Sequence, residues 1–342
     1  MNMAQSPIPF HQVLDALLDS TRPFPPKYLN QLSDLDENHL AELGKVWPRI
    51  NTDRRAALLE DMEELCEVDT LVYFDNLARM VLDDEDARVR AGAIRVLWET
   101  EDTHLAPIFI KMLETDPDQI VRANAAAALG QFIYLGELEE LPPELLTQVE
   151  NSLFRVMRSK EPPLVRRRAL EALGYSGRPE VAGLIRKAYQ AKEVEWQASA
   201  LFAMGRSADS NWSKAVIDKL HHPDLDVQLE AVRAAGQLEL PNARNDLIDL
   251  VSEQELDSEV WAAAVWSLSQ IGGENVRETL EALLEESEDD QEIEILENCL
   301  ENLEFTDGFP TFTLLDIDPQ SEDDMDHYID IDEELDDKQD QL

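Results

Sequence analysis

Basic residues are scarce in this chain. It holds 29 Lys and Arg against 73 Asp and Glu among 342 residues, for a formal net charge of −44. Nucleic-acid binding draws on Lys and Arg that release counterions from phosphates, and adhesion to anionic lipid draws on the same residues. The charge therefore argues against both as partners. Glycine is also sparse, at 12 residues. That argues against a Gly-rich β protein and against Gly-loop nucleotide enzymes, and no G-x-S-x-G, Walker or G-x-G-x-x-G run occurs. Only two cysteines are present, Cys66 and Cys299, far apart and beside acidic residues. They make no disulfide framework and no metal knuckle, so a reducing cytoplasm is the expected compartment. No apolar run approaches the roughly 18 residues of a membrane span. Met1 to Phe10 lacks the basic and apolar regions of a secretory signal.

What the chain does have is a repeat. The stretch Val89-Arg90-Ala91-Gly92-Ala93-Ile94-Arg95-Val96-Leu97-Trp98 returns as Val121 to Gly130 and again as Val165 to Gly174. Looser copies begin at Trp196, Val227 and Val260. Four of the five intervals between copies fall within a residue of 32, and the longer one carries the Pro-broken acidic stretch Leu135 to Pro143. Counting the first residue of a copy as position 0, apolar residues fall at positions 0, 4, 5 and 8, one face of a 3.6-residue helix. Position 7 is usually small, which lets a neighbouring helix approach. Gly at position 9 suggests a left-handed C-cap. An Asp- or Pro-containing turn precedes most copies, and a second amphipathic run lies upstream of each turn, for example Leu105 to Leu113 and Val181 to Tyr189. Each unit is thus expected to be helix, turn, helix. One such hairpin cannot bury its own apolar stripe, but a stack of them can.

These copies of V-R-x-x-A-[AL]-x-A-L-G resemble the HEAT repeat, in particular the short variety of phycobilisome lyase subunits. The resemblance implies an all-α fold, an α-α superhelix (HEAT/armadillo-type α-solenoid), clear over Leu71 to Gly272 and weaker over Asn38 to Cys66 and Glu274 to Leu303. It also implies that the second helices line a concave side. Three organisational parts are expected: a Pro-containing segment 1–35 with an amphipathic capping helix, a solenoid 36–305 with an insert at 134–147, and a disordered acidic tail 306–342. Residues 274–342 hold 27 acidic and 2 basic residues, more than half of the net charge. Such a run repels itself and cannot collapse.

Chemistry is sparse. None of the six histidines is followed by Glu, so the HE dyads that carry the di-iron site of HEAT-repeat deoxyhypusine hydroxylases are missing. No metal, cofactor or catalytic residue is expected. What remains is the surface of the second helices. Arg95, Arg122, Arg166, Arg167 and Arg168 are candidate contacts for an acidic stretch of a partner. Phe202, Leu229, Trp261 and Trp266 are candidate apolar anchors, since Trp and Arg are favoured at interfaces. Each set has a plainer alternative. The position-1 arginines can pair with Asp84, Asp86, Asp116 and Asp118 as an inter-repeat ladder, and the aromatics can pack on neighbouring helices. The function expected is a non-enzymatic, cytoplasmic, monomeric scaffold for a protein partner, with the acidic tail as a competitor. A bilin-lyase-like or enzyme-associated subunit is the alternative that the resemblance implies.

Overall fold

The computed structural model describes residues 8–253 and 255–308. Of the expected acidic tail, 306–342, residues 306–308 belong to the last helix and the rest lie outside the described residues. Among them the regular structure is helical throughout. A first helix, α1 (Phe10–Leu18), leads into α2 (Glu37–Val46), α3 (Thr52–Val68), α4 (Asp75–Met80) and α5 (Ala87–Val96). Next come α6 (Leu105–Thr115), α7 (Gln119–Glu137), α8 (Pro143–Arg158), α9 (Pro163–Leu173), α10 (Glu180–Tyr189) and α11 (Val194–Arg206). The array closes with α12 (Ser213–Ile217), α13 (Leu225–Gln237), α14 (Arg244–Val251), α15 (Ser258–Ile271), α16 (Val276–Glu286) and α17 (Asp290–Gly308).

From α2 onward these helices form antiparallel A/B hairpins. The six sequence copies lie in α5, α7, α9, α11, α13 and α15, all of them B helices. One further hairpin flanks them on each side, α2/α3 and α16/α17. The turns before the B helices are built by side chains. Asp86, Asp118, Asp224 and Asp257 each accept a hydrogen bond from a backbone N–H in the first turn of the helix that follows. Pro163 starts α9 at the position where a missing N–H costs nothing. Of the surplus Leu135–Pro143, the first three residues extend α7 to Glu137 and Pro143 starts α8, which leaves 138–142 as the connection.

The core is one continuous seam running from Val13 to Leu303. Position-8 residues Leu129 and Leu173 are fully buried in it. Successive B helices pack more heavily on one another than successive A helices do, which puts the B helices on the inside of the curve. Small residues permit this. A Cβ on Gly130, Gly174, Gly205 or Gly236, all at position 9, would fall 2.8–3.3 Å from the backbone of Ala172, Ala203, Ala234 or Ser267, each at position 7 of the next copy. The glycines are therefore not left-handed C-caps, as the pattern suggests. Positive φ among the described glycines occurs only at Gly272 and Gly273, which end α15. The position-9 glycines stay helical and let neighbouring backbones touch.

At the N-terminal end, α1 buries Val13 and Leu17 and stacks Phe10 edge-on against His39 of α2, with ring centroids 4.5 Å apart.

Candidate partner-binding face

The position-1 side chains form a ladder along the turns. Arg90 grips Asp116 of the next hairpin at 2.8 Å and donates to the Asp84 carbonyl of its own turn, also at 2.8 Å. Arg122 repeats the arrangement with Glu161 at 3.0 Å and the Asp116 carbonyl at 2.8 Å. Arg166 lies 5.4 Å above the ring of Trp196, with one N–H directed at the Met157 carbonyl. In the next two copies Gln197 and Gln228 keep the bond to the turn, donating to the Ala191 and Leu220 carbonyls at 2.9 Å, and Gln197 also accepts from Lys219 of the next hairpin at 2.8 Å. Arg55 begins the same ladder one hairpin earlier, with Asp84 at 2.6 Å and Glu85 at 2.8 Å. The ladder acids are thus Asp84, Asp116 and Glu161. Asp86 and Asp118, expected in it, instead cap α5 and α7.

The position-6 side chains face inward on the curve. Arg95 is held by both oxygens of Glu63 at 2.8 and 2.6 Å. Glu171, buried, accepts from Ser199 at 2.6 Å and from Arg168 at 2.7 Å. Phe202 lies 4.0 Å beneath the guanidinium of Arg206, which also sits 4.7 Å from the Tyr175 ring. Burial pulls the proton affinity of Arg206 down, and among the described residues no carboxylate lies within ion-pair distance of it. Glu171 and Glu230 stand farther off and act on it only through space. Arg233 pairs with Glu230 and Glu259 at 3.1 and 2.9 Å.

Two hollows result. One, of about 280 Å³, is lined by Arg95, Trp98, Asn124, Arg168, Phe202 and Arg206, among others. The other, of about 250 Å³ and farther along the array, lies beside Arg233 and Trp266. Of the candidate residues, then, Arg95, Arg168 and Phe202 meet in one groove, and Trp266, 44% exposed, stands in the next hollow. Arg122 and Arg166 belong to the ladder instead. Arg167 is half-buried at the α9–α11 seam, reaching the Glu195 carbonyl at 3.3 Å. Leu229 and Trp261 are half-buried against the core and line neither hollow. The arginines do not pool into one basic stretch, because Arg95, Arg122 and Arg168 each have a glutamate of their own.

Sequence reasoning passed over Arg206 and Trp98. Arg206 falls one residue beyond the ten-residue copy. Trp98 occupies position 9, where four of the five later copies have Gly, and that exchange is the signal that could have drawn notice. Among the described residues no group of His, Cys, Asp and Glu is arranged to hold a metal ion. No described helix is long and apolar enough to cross a membrane.

Residues 75–151 and 213–300 match the family model described as HEAT repeats. Among solved structures, the chain is similar to the Escherichia coli protein YibA, at 16% identity and TM-score 0.43, covering 83% of this chain and 98% of that one. It is similar to the complex of CpcE and CpcF of phycocyanin lyase from Nostoc sp. PCC7120, at 22% identity and TM-score 0.44, covering 67% and 94%. It is also similar to human deoxyhypusine hydroxylase in complex with glycerol, at 18% identity and TM-score 0.36, covering 79% and 97%. No curated protein matches it.

Proposed function

Since the chain is built on HEAT repeats, at 75–151 and 213–300, we propose that it is a scaffold holding a protein partner along the inner face of its B helices. The observation that carries this reading is the row of position-6 side chains. Phe202 and Trp266 stand in adjoining hollows on that face, and the Arg206 guanidinium stacked on Phe202 has no carboxylate of its own. An aromatic or Arg side chain set in a partly enclosed hollow is the usual form of an interface anchor. A partner carboxylate over Arg206 would complete a charge that the fold leaves uncompensated.

The acidic tail enters as a competitor. Residues 309–342 carry 13 acids and one lysine, Lys338. Fully extended, 34 residues span about 100 Å, enough to reach from the end of α17 past α15 and α13 to α11 at about 10 Å per helix. With Arg95 and Arg168 already neutralised, Arg206 is the group in the groove that such a tail would address.

A photo-cross-linking side chain placed at position 202, at 266, or on the outer surface at Gln148 tests the reading in cells. The expected result is one protein captured from 202 and 266 but not from 148, with more captured after residues 309–342 are deleted. Equal capture from all three positions, or none from 202 and 266, rejects the inner face as the binding face. An unchanged yield after deletion rejects the competing tail alone.

A further inference from the structure

A third hollow opens beside the groove and shares Glu63, Glu67, Arg95 and Trp98 with it. It is a cleft of about 750 Å³ between the loops 69–74 and 97–104. Its origin is local. Trp98 stands where Gly130, Gly174, Gly205 and Gly236 sit in other copies, and those glycines are what bring neighbouring B helices into backbone contact. An indole cannot fit there, so α5 stops at Val96 and Trp98 is turned out, 53% exposed. Across the cleft Tyr73 is 61% exposed, and Val68 and Leu71 beside it are more than four-fifths exposed.

The walls are fixed. The Tyr73 backbone is pinned on both sides, its carbonyl accepting from the Asp34 amide at 2.7 Å and its amide donating to Ser33 Oγ at 2.9 Å. Arg79 ties α4 to Asp102 on the opposite loop. The apolar side chains are therefore held outward by a backbone that cannot fold over them. Apolar exposure concentrated in this way marks an interaction site.

The rim decides what can enter. Arg79 and Arg95 are the basic residues lining the cleft, and both are already paired, with Asp102 and Glu63. Glu67, Glu99 and Glu101 are exposed and have no ion pair among the described residues. The field reaches the floor, where Cys66 has its thiol pushed up, chiefly by burial and then by Asp75 and Glu99. The chain's own tail and a second copy of the chain both carry strong negative charge and are repelled.

We propose that this cleft docks a basic segment of another protein through an aromatic or leucine anchor seated between Tyr73 and Trp98, with Lys or Arg meeting Glu67, Glu99 and Glu101. The site adjoins the Phe202 groove but does not need it.

The test uses the full chain and three labelled twelve-residue peptides, read by fluorescence anisotropy: three repeats of Lys-Leu-Lys-Phe, of Lys-Ser-Lys-Gly, and of Glu-Leu-Glu-Phe. The first should bind at least about tenfold more tightly than the second, because the anchor is apolar, and the third should not bind. Trp98→Ala should weaken the first peptide about tenfold. The pair Glu99→Gln/Glu101→Gln should weaken it several-fold and flatten its salt dependence. The remote pair Glu281→Gln/Glu285→Gln and the groove variants Phe202→Ala and Trp266→Ala should bind as the parent does. Equal loss from the remote pair would reduce the effect to overall charge. Equal binding of the Ser-Gly peptide, or no loss in Trp98→Ala, would remove the apolar anchor. Loss in the groove variants would move the peptide out of the cleft. Each of these results overturns the assignment. If Trp98→Ala loses helix, the Glu99/Glu101 pair, which lies on the exposed rim, decides the matter. Failure here leaves the inner-face reading to its own cross-linking test.

Discussion

Gly174, the residue that follows α9, abuts the backbone of Ala203 of α11: a Cβ on Gly174 would lie 2.8 Å from the Ala203 carbonyl oxygen and 2.9 Å from its Cα. Neither is the end of a flexible side chain, so the two helices would have to move apart. Gly174→Ala should therefore cost about 1–3 kcal/mol, the usual penalty for overpacking. Gly183, in the exposed middle of α10, has nothing within 4 Å of the same added atom. There Gly→Ala should gain about 1 kcal/mol, since only helix propensity is at stake. Urea unfolding of the two single variants checks the opposite signs.

The contrast shows what was legible in the sequence. The hairpin period, the buried stripe and the capping turns were, because each is a local pattern that recurs along the array. The role of the position-9 glycine was not, because a C-cap and a close backbone contact both place Gly at the end of an apolar run. The small residue at position 7 of the next copy was the distinguishing sign. The candidate arginines were misgrouped for a different reason. Whether Arg95 or Arg168 is free depends on Glu63 and Glu171. Glu63 lies on the preceding hairpin and outside the six copies, so its distance is set by stacking, which no single window of sequence contains. Trp98 and Tyr73 could be seen as residues, but their exposure follows from loop paths that no periodic pattern encodes.

The most enclosed ion pair described here joins Arg55 and Asp84, whose side chains are 4% and 1% exposed. Asp84 also accepts from Trp47 Nε1 at 2.7 Å, so one carboxylate ties the first hairpin to the second. Asp84→Ala leaves a buried guanidinium without its closest partner and should cost about 3–5 kcal/mol. In a stacked array the damage stays near its source. Hydrogen exchange should speed up in α2 to α5 and remain unchanged in α13 to α15. Arg88→Ala, which removes exposed pairs with Asp53 and Asp86, should leave exchange unaltered in both regions.

Acid should act through the ladder. Burial pushes the Asp116 carboxyl up, but the hydrogen bonds from Arg90 and from the Asp118 amide pull it further down, so it lies below the usual carboxylate range. Asp102 is lowered too, first by Arg79 and then by the backbone and ring of His104. A carboxyl whose folded pKa is depressed stabilises the fold above its unfolded value, about 4, and that stability is lost as pH falls through the lower folded value. The melting temperature should change little through these groups between about pH 7 and 5, and fall below about pH 4. Asp116→Asn should melt earlier at pH 7 and show a shallower acid slope. An identical slope in the variant would remove Asp116 from the acid response.

The helix stops offer a gain in stability. Glu239 follows α13 with φ of 46°, in the left-handed region. Around it the Glu239 amide donates to the Gly236 carbonyl at 2.8 Å and the Leu240 amide to the Ala235 carbonyl at 3.0 Å, while Leu240 is buried. This paired closure favours Gly at the left-handed position. Glu139, after α7, repeats it with φ of 63° and bonds to Gly136 and Leu135. A side chain in this conformation costs about 1–2 kcal/mol that Gly does not incur, offset in part by the greater freedom of Gly in the unfolded chain. Both glutamates are exposed and make no ion pair among the described residues, so their removal loses little. Glu239→Gly and Glu139→Gly should each stabilise the protein by up to about 1 kcal/mol, and Glu239→Ala, which keeps the Cβ, should not. If the alanine variant gains as much as the glycine, relief of charge repulsion in an acidic chain is the cause, and the backbone account of these stops fails.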